Sequence, residues 1–508
     1  MLFLFFDNNN NITTLLFFKY QVKNMNAIVK AALLMIFSVY LNVVYAEKSA
    51  AENKFSPSYL SIKGHQTVKV EDWTNPEVCG QCHKRQYNGW KSSMHANAFK
   101  DPVFQALWAL GEKATKGKTK NHCAGCHSPI GTVTDSITFD PDKGEHGEFQ
   151  APGVAAKGVS CDVCHTISAT NVLKTKVLEH GNSSFEMNPG PIKRATLKNS
   201  SSPFHATEYS ELHNSSKFCA NCHNIFHPDN NFPIERTYDE WKYSIYAQND
   251  IQCMDCHMVP VEMAIKVADT LTRPHKIKDI DLSGLAAIGG PVRSLIHDHG
   301  FVGGNAVISK ALGGNESINY TESIKRLQNV ASLELKVDSR GRGLHNVMVK
   351  VNNDRAGHNL PTSLTEVRQV WLEVVATDDQ GRELLRSGTL DEKTNDLPKN
   401  TTIFNVTAVD KNGKHTEFPW EITRFTTTNT IPPRGYKKVN YAFTLFPDSH
   451  NVSIKATLHY RSFSQHLADF LLGKGKVQVP DIEMVTLEKQ YPVKNQQVID
   501  NHSTNDSH

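Results

Sequence analysis

CGQCH at 79–83, CAGCH at 123–127, CDVCH at 161–165, CANCH at 219–223 and CMDCH at 253–257 are five copies of one pattern, Cys-x-x-Cys-His. They use all ten cysteines of the 508-residue chain. Two thiols three residues apart on a helix-like turn can add to the two vinyl groups on one edge of a porphyrin. The histidine that follows then lies under the ring and presents an imidazole to the iron. This reading assigns five covalently bound haem c groups. The tethers are Cys79 and Cys82, Cys123 and Cys126, Cys161 and Cys164, Cys219 and Cys222, and Cys253 and Cys256. The proximal iron ligands are His83, His127, His165, His223 and His257.

Zinc ribbons, thioredoxin-like centres and disulfide frameworks also use paired cysteines. Zinc needs four ligands per site, so five pairs leave one unmatched in an all-cysteine scheme. None of these alternatives explains a histidine directly after the second cysteine five times out of five.

Covalent haem attachment implies export, and the N-terminus reads accordingly. Residues 25–46, MNAIVKAALLMIFSVYLNVVYA, have a lysine-bearing start, an apolar stretch and a Val-Tyr-Ala ending. Residues 1–46 therefore read as a signal peptide, with Met25 an alternative start and an uncleaved anchor the other reading. The expected location is the periplasm or the cell surface. The formal charge of +3 falls to about +1 without that segment, and five haems with their propionates carry the holoprotein to roughly −4 oxidised and −9 reduced. Nucleic acid is thereby disfavoured as a partner, and redox proteins are the expected donor and acceptor.

The chain then divides by pattern. Residues 47–70 form a polar lead-in. Residues 71–305 form a five-haem domain whose motifs recur at intervals of 44, 38, 58 and 34 residues. That leaves room for little more than a helix and loops per haem, so this half is expected to be helix and coil. Residues 306–327 form a linker. From 328 to 490 apolar residues alternate with period two: Leu333, Leu335, Val337; Val347, Val349, Val351; Val370, Leu372, Val374; Val439, Tyr441, Phe443, Leu445; and Val452 to Tyr460. With turn formers such as Asp379-Gln380-Gly381 between them, these predict an all-β sandwich. It contains no cysteine, and a membrane or cell-surface partner is its open role. The polar residues 493–508 read as a disordered tail.

Nineteen histidines lie outside the motifs, and the sixth iron positions must draw on them. His95 follows the first motif in QYNGWKSSMHANA, where Tyr87, Trp90 and Met94 suggest a helix packed on porphyrin. His205 and His213, eight residues apart on a predicted helix, return to the same face. His297 and His299 alternate, and His299 is preferred. His358 stands where the sandwich begins and could reach across to a haem. His122, His180, His227 and His275 rank below these.

The run PEVCGQCHKRQYNGWKSSMHANAFKDP, with KFCANCHN, YDEWKYSIYAQNDIQCMDCHM and HDHGFVGGN, resembles the multihaem cytochromes c typified by the tetrahaem electron carrier of ammonia-oxidising bacteria, the c-554/c-prime type. AGHNLPTSLTEVRQVWLEVVATDDQGRELLRSG resembles a β-sandwich appended in larger multihaem cytochromes. The resemblance implies low-spin, bis-histidine haems packed edge to edge, with His95, His205 and His299 at positions matching family ligand motifs. The type member has four haems, one of them open at its sixth position, whereas five motifs stand here.

The leading expectation is an electron carrier without catalysis at iron. An oxidoreductase acting on a small nitrogen or sulfur compound at an open haem, and a surface or filament-forming haem conduit, are the alternatives.

Overall fold

The computed structural model describes residues 55–313, 317–341 and 343–492. The segment read as a signal peptide, Met25, residues 47–54 of the lead-in and the segment read as a tail lie outside them. Residues 55–492 belong to one compact unit, and no helix among the described residues is long and apolar enough to cross a membrane.

The motif-bearing half is built of short pieces. Its longer helices include α1 (Lys84–Lys91), α2 (Pro102–Thr115) and α3 (Val261–Thr270). Asp101 caps α2 by accepting from the Val103 and Phe104 amides, and Pro102 fills the first turn. Most motifs lie on or beside a single turn of helix, such as Cys161–Thr166 and Cys253–His257, and the second ends the helix Lys120–His127. Strands of two to four residues, paired in small sheets, connect these turns. The lead-in is more than polar approach. Phe55, Leu60, Ile62 and Val68 are buried against Val163, Phe185 and Met187, and Ser61–Ile62 pairs in parallel with Glu186–Met187.

The segment read as a linker holds Ala306–Gly313 and α4 (Ile318–Leu327). Beyond it the strands are β1 (Ala331–Gly341), β2 (Leu344–Asn353), β3 (Gln369–Asp378), β4 (Glu383–Ser387), β5 (Ile403–Phe404), β6 (Val406–Val409), β7 (Arg424–Thr428), β8 (Tyr436–Thr444), β9 (Asn451–Arg461) and β10 (Ile482–Pro492). One sheet has the order β1-β2-β8, a second β4-β3-β9-β10 with β5 beside β3, and β6 pairs β7. The alternating residues do what their period requires: Val347, Val349 and Val351 meet Val370, Leu372, Val374, Ile454, Ala456 and Leu458 in one core. The C-terminal region is thus β-rich and spread over several sheets. Between β9 and β10, α5 (Gln465–Leu472) packs on α2 through Leu467, Ala468, Leu471, Val103 and Ala106.

Candidate haem sites

All ten cysteines and all five motif histidines line one connected cavity of about 1670 Å³, larger than the 300–1,000 Å³ of ordinary ligand pockets. The cysteines form no disulfide. Burial pushes the Cys164 and Cys256 thiols up to about 12, so unattached they stay protonated and behave as apolar groups.

Four motif histidines direct Nδ1–H at a backbone carbonyl: His83 at Ala286 (2.7 Å), His127 at Ala98 (2.9 Å), His165 at Arg194 (2.7 Å) and His257 at Val302 (2.8 Å). A carbonyl can only accept, so the proton sits on Nδ1 and the Nε2 lone pair is left for a metal. The fifth, His223, has a carboxylate beside Nδ1, with Glu235 Oε1 at 3.6 Å.

Four motif rings face a second histidine at nearly one distance. His83 and His205 have ring centres 6.2 Å apart, His95 and His223 6.2 Å, His165 and His299 6.3 Å, and His257 and His358 6.2 Å. A metal–imidazole bond of about 2 Å, with roughly 1 Å from nitrogen to ring centre, counted on both sides, spaces two rings by about 6 Å. The facing rings are prepared in the same sense. His205, His299 and His358 donate Nδ1–H to the carbonyls of Ala206, His297 and Asn359, while His95 Nδ1 is buried without a partner. These residues fit haem c.

Local packing sets the facing rings. His95 follows Ser93, which caps the Met94–Asn97 turn, and Gly158 at φ +62° passes so close that a Cβ there would meet the His95 carbonyl at 2.4 Å. Gly89 on α1 lets the 299–300 backbone approach, since a Cβ would lie 3.1 Å from Gly300 N. His358 is carried on the loop between β2 and β3. Asn359 binds Glu240 through its amide N–H and its side chain, both at 3.1 Å, and Thr362 donates to the same carboxyl at 2.6 Å.

His213 departs from the expectation. Residues 206–209 form a strand and 212–214 a 3-10 turn, so a shared helical face with His205 does not exist. Its ring lies 6.2 Å from His165, but Nε2–H donates to the Cys164 carbonyl (2.9 Å) and Nδ1 accepts from Ser210 Oγ (2.8 Å). Both nitrogens are engaged, and none is left for iron. His227 is likewise saturated by the Trp420 carbonyl and two amides. His180 meets Asn221 and the edge of Tyr238.

No histidine faces His127 among the described residues; Phe104 of α2 lies flat on its ring at 3.6 Å. His122 is half-buried and lines the cavity, with its Nδ1 buried and unpartnered. Glu235, Phe104, and Phe301 against His95 at 4.5 Å carry no motif that would have marked them in the sequence.

The motifs also touch one another. The Cys79 and Cys161 thiols lie beside one another, as do Cys126 and Cys222 and Cys219 and Cys253. Cys164 lies near Cys219 and Cys222. The fourth motif is therefore a junction, with the second, third and fifth around it and the first beyond the third.

Five attachment motifs around one cavity, with histidines facing across it, are the arrangement of a multihaem cytochrome c, and the chain is similar to haem electron-transfer proteins of that class. Within that class it resembles the c554 group. Residues 78–166 match the family described as cytochrome c554 and c-prime. Among solved structures, the fold is similar to that of a penta-haem cytochrome c552 from Thermochromatium tepidum, with a TM-score of 0.56, 17% identity, and coverage of 83% of this chain and 99% of that one. A Northeast Structural Genomics Consortium target (TM-score 0.15, 12% identity, 36% of this chain and 99% of that one) and a protein from Archaeoglobus fulgidus (TM-score 0.14, 8% identity, 32% and 97%) are too different in shape to bear on it. No curated protein matches the chain by sequence.

Proposed function

We propose that this chain is an exported pentahaem electron carrier in which four irons are each held by two histidines: His83 with His205, His165 with His299, His223 with His95, and His257 with His358. The observation that carries the reading is the common 6.2–6.3 Å spacing of those four ring pairs. Haem c supplies a one-electron iron couple when bound, and two imidazoles per iron close it to substrates. The chain's own part is to hold each Nε2 toward the cavity by tying up Nδ1, and to bring the motif edges together. His213 is left out of the ligand set.

The iron at His127 is open on this reading, because no histidine faces that ring. This favours, as a second reading, binding or turnover of a small nitrogen or sulfur compound there. The shared core of the two larger sheets supports a β-sandwich, and His358 gives it a part in the haem array. Partners are redox proteins that exchange electrons at exposed edges, and a membrane or cell-surface partner would meet the sandwich.

Electron paramagnetic resonance of the oxidised holoprotein, with haem content by pyridine haemochrome, tests the assignment. The expected result is five haems, four low-spin and one high-spin signal that shifts with cyanide. Five low-spin signals indifferent to cyanide would remove the open site and the second reading with it.

A further inference from the structure

Four of the five proximal histidines share one kind of partner and one does not. His83, His127, His165 and His257 each meet a neutral backbone carbonyl within 2.9 Å. His223 instead has the carboxylate of Glu235 at 3.6 Å, longer than a hydrogen bond but close enough for an ion pair.

The placement is built. Pro233–Glu235 pairs antiparallel with Ile225–Phe226, which directly follows the motif, and the Tyr238 amide donates to the His223 carbonyl at 3.0 Å. Glu235 is 5% exposed, so water screens it little. The neighbouring Arg236 pairs with Asp239 and Glu179. Among the described residues the ion-pair partner of Glu235 is His223 alone; Thr237 Oγ1 adds a donor at 3.4 Å.

We infer that Glu235 is a positioning and tuning residue that makes the junction iron, held by His223 and His95, the hardest of the four bis-histidine irons to reduce. A carboxylate beside Nδ1 makes the imidazole a stronger donor and favours the more positive ferric state, whereas a carbonyl does so less. The opposite ligand opposes this in part, since His95 Nδ1 has no acceptor of its own while the other facing rings bond to carbonyls; the full charge of the Glu235 carboxylate outweighs the loss of one neutral acceptor. The consequence belongs to the junction. Electrons from the first and third motifs must cross an uphill site to reach the second or the fifth, which slows transfer between the arms.

The inference rests on the bis-histidine reading, and a redox titration followed by electron paramagnetic resonance separates the two. In the wild type one low-spin signal should disappear after the other three. In Glu235→Gln, with five haems retained, that signal alone should move to higher potential. An unchanged titration in Glu235→Gln overturns the inference while leaving the ligand assignment intact; a wild type without low-spin signals overturns the assignment itself. Should Glu235→Gln fail to load five haems, Glu235→Asp, whose carboxylate is drawn back from the ring, should give a smaller shift in the same direction, and no shift overturns the inference. Should neither variant load, four low-spin signals titrating together in the wild type overturn it.

Discussion

His358 shows how much depends on one side chain. It is half-buried, reaches the cavity from the β-rich region, and its ring lies 6.2 Å from that of His257. Replacing it by alanine removes a ligand without touching a tether. His358→Ala is therefore expected to keep five haems by haemochrome and to convert one low-spin signal to high-spin. Retention of four low-spin signals would show that another group caps that iron. The Glu240 carboxyl, raised to about 7 by burial, supports the same loop. Glu240→Ala leaves the Asn359 amide and Thr362 hydroxyl without their acceptor, at a cost of about 1–3 kcal/mol, visible as a lower melting temperature with the haem count unchanged.

At the scale of elements, β3 and β9 pair Trp371 with His459, whose rings stack at 4.8 Å. His459 is buried, with Nδ1 on Asp481 (2.9 Å) and Nε2 on Glu373 (3.2 Å). Burial alone would lower its pKa, but the two carboxylates outweigh it and push the value up to about 9. A histidine raised in the folded state stabilises most below its unfolded pKa of about 6.5 and loses that contribution as pH rises through about 9, on the order of 3 kcal/mol in all. The melting temperature should fall between pH 6.5 and 9.5, and fall less in His459→Gln; equal slopes would remove the ion triad as the cause. Strands such as these were legible because apolar residues repeat every second position. The strand β10 was not. A register shift at Leu458/His459 changes which residues face inward, from Ile482 and Met484 to Val485 and Leu487, and a period-two reading loses phase there. In the haem half no period exists to find, because porphyrin takes the place of much side-chain core. The motifs marked the candidate tethers and proximal ligands, and local sequence singled out His95 and His299, all of which line the cavity. It misplaced His213, whose helical face is a strand and a turn, and it gave no sign of Glu235, a lone carboxylate brought to His223 by a ribbon.

Across the whole molecule the cavity is the organising feature, and its walls come from both halves: Leu360, Trp420, Tyr460 and Phe463 of the β-rich region line it with the five motifs. Direct contacts tie the halves as well. Arg355 forks onto Asp269 at 2.7 and 3.1 Å, Arg434 donates to the Ala268 carbonyl, and His227 to the Trp420 carbonyl at 3.0 Å. Such a core holds only when filled, so folding and haem attachment are coupled. The motifs are unequal in this respect. The first touches the third alone, whereas the fourth meets the second, third and fifth. Cys79→Ala/Cys82→Ala should leave a folded protein with about four haems, since the gap opens at one end of the array. Cys219→Ala/Cys222→Ala should open the junction, leave fewer than about four haems and make the whole unit protease-sensitive, because three neighbouring sites lose a wall together. Haem content and limited proteolysis of the two variants side by side decide the matter. Equal losses would mean that each haem segment stands independently and that the junction does not hold the array together.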